Sequence, residues 1–260
     1  MAKKKMTATV FFQQEIAPGI FDMWLTTELA KQAGAGQFIG VYPGDQSKLL
    51  PRPISICEVD KENSRLRIVY RVAGGGTDEF SSYKAGRKVE ILGVLGNGFP
   101  LDAAKDKKVV LLGGGIGIPP MLELAKELKE AGIRPTAVLG YRDSQLFLKE
   151  DLEKYAEVLI ATEDGSKGCK GNVLTAMEEK GVAPDVIMAC GPMPMLRAIK
   201  RYSETSGCKA YISLEERMAC GVGACLGCVC KTKKVDHHSH VNNARICTDG
   251  PVFDAEDVEI

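Results

Sequence analysis

Cysteines crowd one end of this 260-residue chain: Cys220, Cys225, Cys228, Cys230 and Cys247 stand among its last 41 residues, while Cys57, Cys169, Cys190 and Cys208 are scattered singly. The first three of the crowd follow a C-x4-C-x2-C spacing, and eighteen residues separate Cys228 from Cys247. That is the plant-type spacing of a [2Fe–2S] site. Gly221, Val222, Gly223, Ala224, Leu226 and Gly227 fill the gaps. A loop of such small residues can wrap a compact cluster and aim its N–H groups at the sulfurs, stabilising the negative charge there. Val222 and Leu226 can shield the metal from water. The metal ligands expected are therefore Cys220, Cys225, Cys228 and Cys247, with Cys230 a spare thiol. A structural zinc site competes, because four thiolates also suit zinc; the lack of a second C-x2-C pair weighs against it. Residues 231–240 (KTKKVDHHSH) hold all three histidines and read as a polar hairpin tip between two ligands. A second metal site at His237, His238 and His240 is the less favoured reading.

Composition narrows the setting. Nine cysteines are many for a reducing compartment and odd in number, so metal or redox chemistry is expected over a disulfide framework. Lys+Arg and Asp+Glu both number 34, so the basic excess of a nucleic-acid binder is missing. The longest uncharged stretch, 109–122, has fourteen residues with four glycines and two prolines, too short and broken to span a membrane. No apolar core follows the basic opening Met1-Ala2-Lys3-Lys4-Lys5, so no secretory signal is read and a cytoplasmic location is expected.

Two patterns divide the rest of the chain. Residues 7–12, 20–25, 37–41, 53–59, 66–72 and 88–92 read as short strands, rich in Val, Ile, Tyr and Phe and separated by Gly, Pro, Asp and Asn. Such a run predicts a closed antiparallel barrel or a sandwich. One or two helical turns are expected at 27–33. From Lys107 strands and helices alternate: strands at 109–112, 136–140, 157–161, 185–189 and 210–214, helices at 119–131, 148–155, 173–180 and 194–206. Repeated βα units imply a parallel, Rossmann-like sheet covered by helices. The expected organisation is a β-barrel over 1–102, an α/β nucleotide domain over 103–210, and a small cluster module over 211–260.

Three loops carry phosphate-binding chemistry. Gly113, Gly114, Gly115 and Gly117 join a buried strand to an amphipathic helix, where glycines let a pyrophosphate approach the backbone and the helix N-terminus. The spacing is G-x-G-x-G, a variant of the dinucleotide fingerprint. Cys190-Gly191-Pro192 ends another parallel strand, so the two loops should meet beyond the carboxyl ends of the sheet. Asp143 can accept from an adenosine ribose hydroxyl, and Arg142 beside it suits a 2′-phosphate; the reading leans to NAD. In the barrel, Arg52-Pro53-Ile54-Ser55 offers a guanidinium fork and a hydroxyl. Val69-Tyr70-Arg71 lies on the next strand, and Gly74-Gly75-Gly76-Thr77 reads as a glycine-rich turn forming a second phosphate cradle.

Taken together, these motifs resemble the ferredoxin-reductase superfamily, whose flavin barrel carries R-P-x-S, whose nucleotide loop is glycine-rich, and which has C-G-P before a helix. With the C-terminal cysteines, the whole chain resembles, more narrowly, the electron-transfer-subunit family of bacterial class 1B (NAD-dependent) dihydroorotate dehydrogenases. The resemblance implies FAD on the barrel, with Arg52, Pro53, Ile54 and Ser55 lining the flavin and its diphosphate, Val69, Tyr70 and Arg71 flanking it, and Gly76 and Thr77 holding phosphate. It implies NAD at Gly113, Gly115, Gly117, Cys190, Gly191 and Pro192, and a [2Fe–2S] cluster on the four cysteines. It implies a separate FMN-containing dihydroorotate dehydrogenase catalytic subunit as partner, in a heterotetramer with two copies of each chain, serving pyrimidine (UMP) biosynthesis. No catalytic acid or base is expected in this chain; alone it should show NADH diaphorase activity without forming orotate. A flavin subunit of another NAD(P)H:acceptor reductase, such as ferredoxin:NADP reductase or sulfhydrogenase, shares these motifs and is the alternative. The long gap before Cys247 departs from the family pattern and leaves the shape of that loop open.

Overall fold

A computed structural model describes residues 4–235 and 240–260. The less favoured reading of a second metal site involves His237 and His238, which lie outside the described residues. Six antiparallel strands close a barrel: β1 (Lys4–Ala17), β2 (Ile20–Thr26), β3 (Phe38–Val41), β4 (Arg52–Asp60), β5 (Arg65–Arg71) and β6 (Lys88–Leu95). They run in the order β1-β2-β5-β4-β3-β6. Alternation drives this closure: Ile54, Ile56, Leu66, Ile68, Val89 and Ile91 turn inward and form one core with Met23, Leu25 and Ile39. The barrel expectation holds, and a 3-10 turn at Glu28–Lys31 fills the place expected for a helical turn.

One barrel expectation is corrected. Gly74-Gly75-Gly76-Thr77 is not a plain turn; it opens helix α1 (Gly75–Ser81). Glycine is a poor helix former, so the helix is sustained by context. Thr77 Oγ1 accepts from the N–H groups of Ala73 and Gly74 at 2.9 and 3.2 Å and donates to Gly74 O at 3.0 Å, while Phe80 is fully buried in the barrel core.

The second layer is a seven-stranded sheet. Its strands are β7 (Val109–Gly114), β8 (Thr136–Tyr141), β9 (Glu157–Thr162), β10 (Cys169–Lys170), β11 (Val186–Cys190), β12 (Lys209–Ser213) and, after the hairpin of β13 (Val229–Lys231) and β14 (Asn243–Arg245), β15 (Val252–Asp254). The order is β10-β9-β8-β7-β11-β12-β15, parallel except for β15, which pairs antiparallel with β12. Helices α2 (Pro119–Glu130), α3 (Lys149–Glu153), α4 (Val173–Glu179) and α5 (Met193–Ser206) cover it. β7 and β11 are neighbours although β8 and β9 follow β7 in the chain, so the strand order reverses between them. Such a reversal leaves a crevice at the carboxyl ends of the two strands. No helix among the described residues is long and apolar enough to cross a membrane.

Candidate functional site

The crevice is where the two nucleotide loops meet. Cys190 stands level with Gly113 across the β7–β11 ladder. Gly117 is pressed against the second loop: a Cβ there would lie 2.5 Å from the Cys190 carbonyl carbon and 2.6 Å from Gly191 N. Gly114 has Pro192 Cδ and Met195 Sδ where its Cβ would be, at 3.0 and 2.6 Å. Gly115 takes φ +52° and faces open space, leaving backbone accessible at the mouth of α2. An approaching pyrophosphate would find that backbone, with the helix N-terminus behind it. Asp143, expected to face a ribose, is engaged by its own loop: its carboxylate accepts from Gln145 N at 2.9 Å.

A carboxylate that motif reading missed joins the crevice. Glu215 Oε1 lies 4.0 Å from the Cys190 thiol. Glu215 as a residue is exposed, yet the packing around its carboxyl pushes it up against the pull of Arg71. Cys190 is wholly buried, and burial followed by the Glu215 charge pushes its thiol far up, so it stays protonated. Glu215 lies just past β12, whose end lies beside β11.

On the barrel the residues sort by face. Arg52 spans the start of α1: a Cβ on Gly76 would lie 2.7 Å from its Cζ and 2.8 Å from its Nη2, while Arg52 Nη1 donates to Leu50 O at 2.6 Å. The first N–H groups of a helix have no partner within it. Arg52 and the start of α1 therefore make one cationic corner. The Thr77 hydroxyl is spent on its cap, so what Thr77 offers a phosphate is its backbone. Pro53 and Ser55 are half-buried on β4, whereas Ile54 turns into the barrel core. Val69 is buried where the barrel meets the nucleotide sheet, packed in one core with Ile118 and Met121. The Tyr70 ring lies inside the barrel, its hydroxyl donating to Gln13 Oε1 at 2.9 Å. Arg71 is exposed.

The cysteine loop reverses sharply, with positive φ at Gly221, Gly223 and Leu226. Cys220 Sγ accepts from Val222 N and Cys225 N, and Cys225 Sγ from Gly227 N, each at 3.4 Å. Burial pushes the Cys220 thiol up, but the N–H groups of Val222 and Cys225, the Cys225 thiol and Ala224 N–H pull harder and bring it to about 6. Burial and the adjoining Cys228 thiol push Cys247 up to about 11. Backbone N–H groups of the loop thus donate to the sulfurs of Cys220 and Cys225, and the Cys228 thiol adjoins Cys247. Among the described residues, no three ligating side chains are grouped as a single ion would need. A two-iron cluster takes four thiolates with backbone N–H donors to the sulfurs, and the N–H contacts at Cys220 and Cys225 suit it. Cys230 sits on β13 opposite Ala244. Val222 and Leu226, expected to shield the site, are 43% and 58% exposed and form its outer rim with Val229.

The loop is seated on the barrel. A Cβ on Gly221 would touch Leu95 Cδ1 at 3.2 Å and Leu92 Cδ2 at 3.4 Å. Asn97 donates from Nδ2 to the carbonyls of Thr248 and Asp249, both at 3.1 Å, and from its backbone to Gly250 O at 2.6 Å. Three carbonyls just past Cys247 are therefore tied to the end of β6.

Comparison with known proteins agrees with this geometry. Residues 215–259 match the family model described as the iron–sulfur cluster binding domain of dihydroorotate dehydrogenase B. The chain is 44% identical over 252 residues to the dihydroorotate dehydrogenase B (NAD(+)) electron transfer subunit of Streptococcus mutans, covering 96% of each. It is 40% identical over 259 residues to the subunit of the same name from a Geobacillus species, covering 98% of each. Among solved structures, an NADH-dependent reduced ferredoxin-NADP oxidoreductase, described in connection with flavin-based electron bifurcation, superposes with a TM-score of 0.85 at 28% identity, covering 97% of this chain and 89% of the other. A Neisseria gonorrhoeae ferredoxin NADP+ reductase with bound FAD and NADP shares the fold, at TM-score 0.66 and 17% identity over 82% of this chain and 94% of that one. Near-full-length identity of this size, on a chain whose barrel, crevice and cysteine loop are all in place, makes it a member of the family of dihydroorotate dehydrogenase B (NAD(+)) electron transfer subunits.

Proposed function

We propose that this chain is the electron-transfer subunit of an NAD-dependent dihydroorotate dehydrogenase, carrying electrons from an FMN-containing catalytic subunit to NAD+ for pyrimidine (UMP) biosynthesis. The observation that carries the reading is the convergence of three sites: the Arg52–α1 corner of the barrel, the β7–β11 crevice of the sheet packed against it through Val69, and the cysteine loop seated on Leu92 and Leu95. FAD exchanges electrons singly or in pairs, NAD+ takes them only as hydride, and a [2Fe–2S] cluster passes them one at a time, so the flavin belongs between the other two.

The residues would divide the work as follows. Arg52, with the N–H groups at Gly76 and Thr77, neutralises the flavin diphosphate; Pro53, Ser55 and the backbone of Ile54, Val69 and Tyr70 line the flavin, and Arg71 flanks it. Gly113, Gly115 and Gly117 admit the NAD pyrophosphate, and Cys190, Gly191 and Pro192 bound the nicotinamide end. Glu215 stands beside the neutral Cys190 thiol as a carboxylate facing that end. Cys220, Cys225, Cys228 and Cys247 hold the cluster, and the N–H donors around Cys220 favour its thiolate form. The apolar rim of Val222, Leu226 and Val229 suits a protein partner that covers the cluster and excludes water. The complex is a heterotetramer of two copies of each subunit in the cytoplasm. The reading as a ferredoxin:NADP reductase or sulfhydrogenase subunit yields to the higher identity of the dihydroorotate dehydrogenase relatives, 44% against 28%.

The test is an anaerobic NADH titration of the purified chain. The reading requires bound FAD, iron with acid-labile sulfide, bleaching of both chromophores by NADH, diaphorase activity, and no orotate from dihydroorotate. Colourless, iron-free protein from a well-folded anaerobic preparation would overturn it.

A further inference from the structure

Strand β4 carries Arg52–Ser55 at its start, but its far half is held in an unusual way. β3 pairs with β4 over Arg52, Pro53, Ile54 and Ser55. Beyond them β5 continues on the other side, through Ile56, Glu58, Val59 and Asp60. Among the described residues, no strand takes over the β3 side at Val59. Two side chains of helix α2 do so instead. Glu123 Oε2 accepts from Val59 N at 2.7 Å, and Lys126 Nζ donates to Val59 O at 2.5 Å. Lys126 Nζ and Glu123 Oε2 are themselves 3.5 Å apart, one helical turn from each other. The helix thus presents an acceptor and a donor to one residue's N–H and C=O, as a neighbouring strand would.

The arrangement is costly. Glu123 is 3% exposed and Val59 2%. A carboxylate buried to that degree is destabilising unless its hydrogen bonds and charge are met. Burial, the largest influence, drives its carboxyl up to about 7 against the pull of Lys126 and Val59 N–H. A second tie lies one residue along: Glu127 Oε1 accepts from Ala35 N, just before β3, at 3.1 Å. A third joins the same bodies further out, where Arg67 on β5 meets Asp151 on α3 at 3.0 Å.

The joined elements are the two that carry the cofactor loops. Val59 lies four residues past Ser55, about 13 Å along a strand. Glu123 lies six residues past Gly117, about 9 Å along a helix. Both elements are stiff over such lengths, so a shift at the joint moves one loop against the other. We infer that Glu123 and Lys126 are positioning residues which, by gripping Val59, set the distance between the flavin strand and the nicotinamide loop. The inference rests on the functional reading above, in which β4 carries FAD and the α2 loop carries NAD. It adds that hydride geometry is fixed by a joint that touches neither cofactor.

The test uses the purified holo-chain with Glu123→Met, Glu123→Gln and Lys126→Met. Glu123→Met removes the acceptor; Glu123→Gln keeps an oxygen for Val59 N–H; Lys126→Met keeps the stem and removes the donor. Flavin bleaching by excess NADH is followed by stopped flow, and exchange of the Val59 amide by hydrogen–deuterium exchange. A misplacement near 1 Å costs a reaction of oriented partners up to about a hundredfold. The limiting bleaching rate should therefore fall about tenfold to a hundredfold in Glu123→Met and Lys126→Met, at unchanged NADH affinity, FAD content and cluster absorbance. Glu123→Gln should restore the rate and protect the Val59 amide, which exchanges faster in Glu123→Met. If Glu123→Met does not fold, Lys126→Met decides. Wild-type limiting rates in the FAD-replete variants, or a fall in thermal stability alone, would overturn the inference. Failure of the functional reading would differ, since the unsubstituted chain would itself not bleach with NADH.

Discussion

Gly76 offers a substitution in which fold stability and cofactor affinity move in opposite directions. It lies in the first turn of α1 with no positive φ, so alanine fits the backbone. Its new Cβ would stand 2.7 Å from Arg52 Cζ and 2.8 Å from Nη2, far inside contact distance. The guanidinium is the end of a flexible side chain, so Arg52 swings away and the fold survives. Alanine for glycine in a helix gains up to ~1 kcal/mol, less near an end. Displacing Arg52 loses at least one hydrogen bond to a phosphate, on the order of 1.5–3 kcal/mol for a charged partner. That corresponds to FAD binding weaker by roughly 10- to 150-fold. Gly75→Ala is the control, because the nearest atom to its Cβ is Lys48 Cε at an ordinary 3.5 Å. FAD is titrated into the flavin-free chain by fluorescence quenching, and thermal unfolding of the same material is recorded. The expected result is weaker FAD binding in Gly76→Ala alone, with a melting temperature equal to or above wild type. Equal FAD affinity for Gly75→Ala, Gly76→Ala and wild type would refute the placement of Arg52 on the diphosphate.

Three further outcomes follow from the same structure. Serine at Cys220, Cys225, Cys228 or Cys247 should abolish the cluster's visible and paramagnetic signals, whereas Cys230→Ser should keep them; iron and sulfide assays decide. Gly117→Ala has no soft neighbour to displace, since its Cβ would meet the Cys190 carbonyl carbon at 2.5 Å and Gly191 N at 2.6 Å. Overpacking of this kind costs ~1–3 kcal/mol, so the chain should melt earlier and bind NADH more weakly while FAD content holds, as calorimetry and NADH titration would show. The Glu123 carboxyl, pushed up by burial to about 7, binds more protons folded than unfolded above its ordinary value of 4.5. Its contribution to stability is full below pH ~4.5 and declines through pH ~7, by on the order of 3 kcal/mol. Glu123→Gln should flatten that part of the stability–pH curve in denaturant titrations; an unchanged slope would contradict the burial argument.

The legible parts of this molecule were those written in local pattern. All six barrel strands follow from alternation between turn residues, and each main βα element from periodicity and glycine punctuation. The cysteine spacing marks a loop that the fold seats on the end of the barrel. What escaped was set by tertiary context. Helix α1 is hidden because three glycines look like a turn, and Thr77's cap, Phe80's burial and the hydrogen bonds Glu79 accepts from Gly44 and Lys48 sustain it. β15 pairs with β12 across the whole cluster module, a contact no local window contains. Tyr70 is expected to flank a flavin and Thr77 to hold phosphate; in the structure the Tyr70 hydroxyl donates to Gln13 inside the barrel and the Thr77 hydroxyl closes its own cap, which the sequence pattern does not reveal. Glu215, Asn97 and the Glu123–Lys126 grip on Val59 carry no motif, because their work depends on what lies opposite them.

The central claim is that this chain relays electrons and does not itself oxidise dihydroorotate. The most direct measurement combines it with the FMN-containing catalytic subunit, all cofactors full, and follows NADH formation from dihydroorotate and NAD+. The account predicts steady NADH production by the pair and none by either subunit alone. No NADH from the loaded pair, or orotate produced by this chain in isolation, would contradict it.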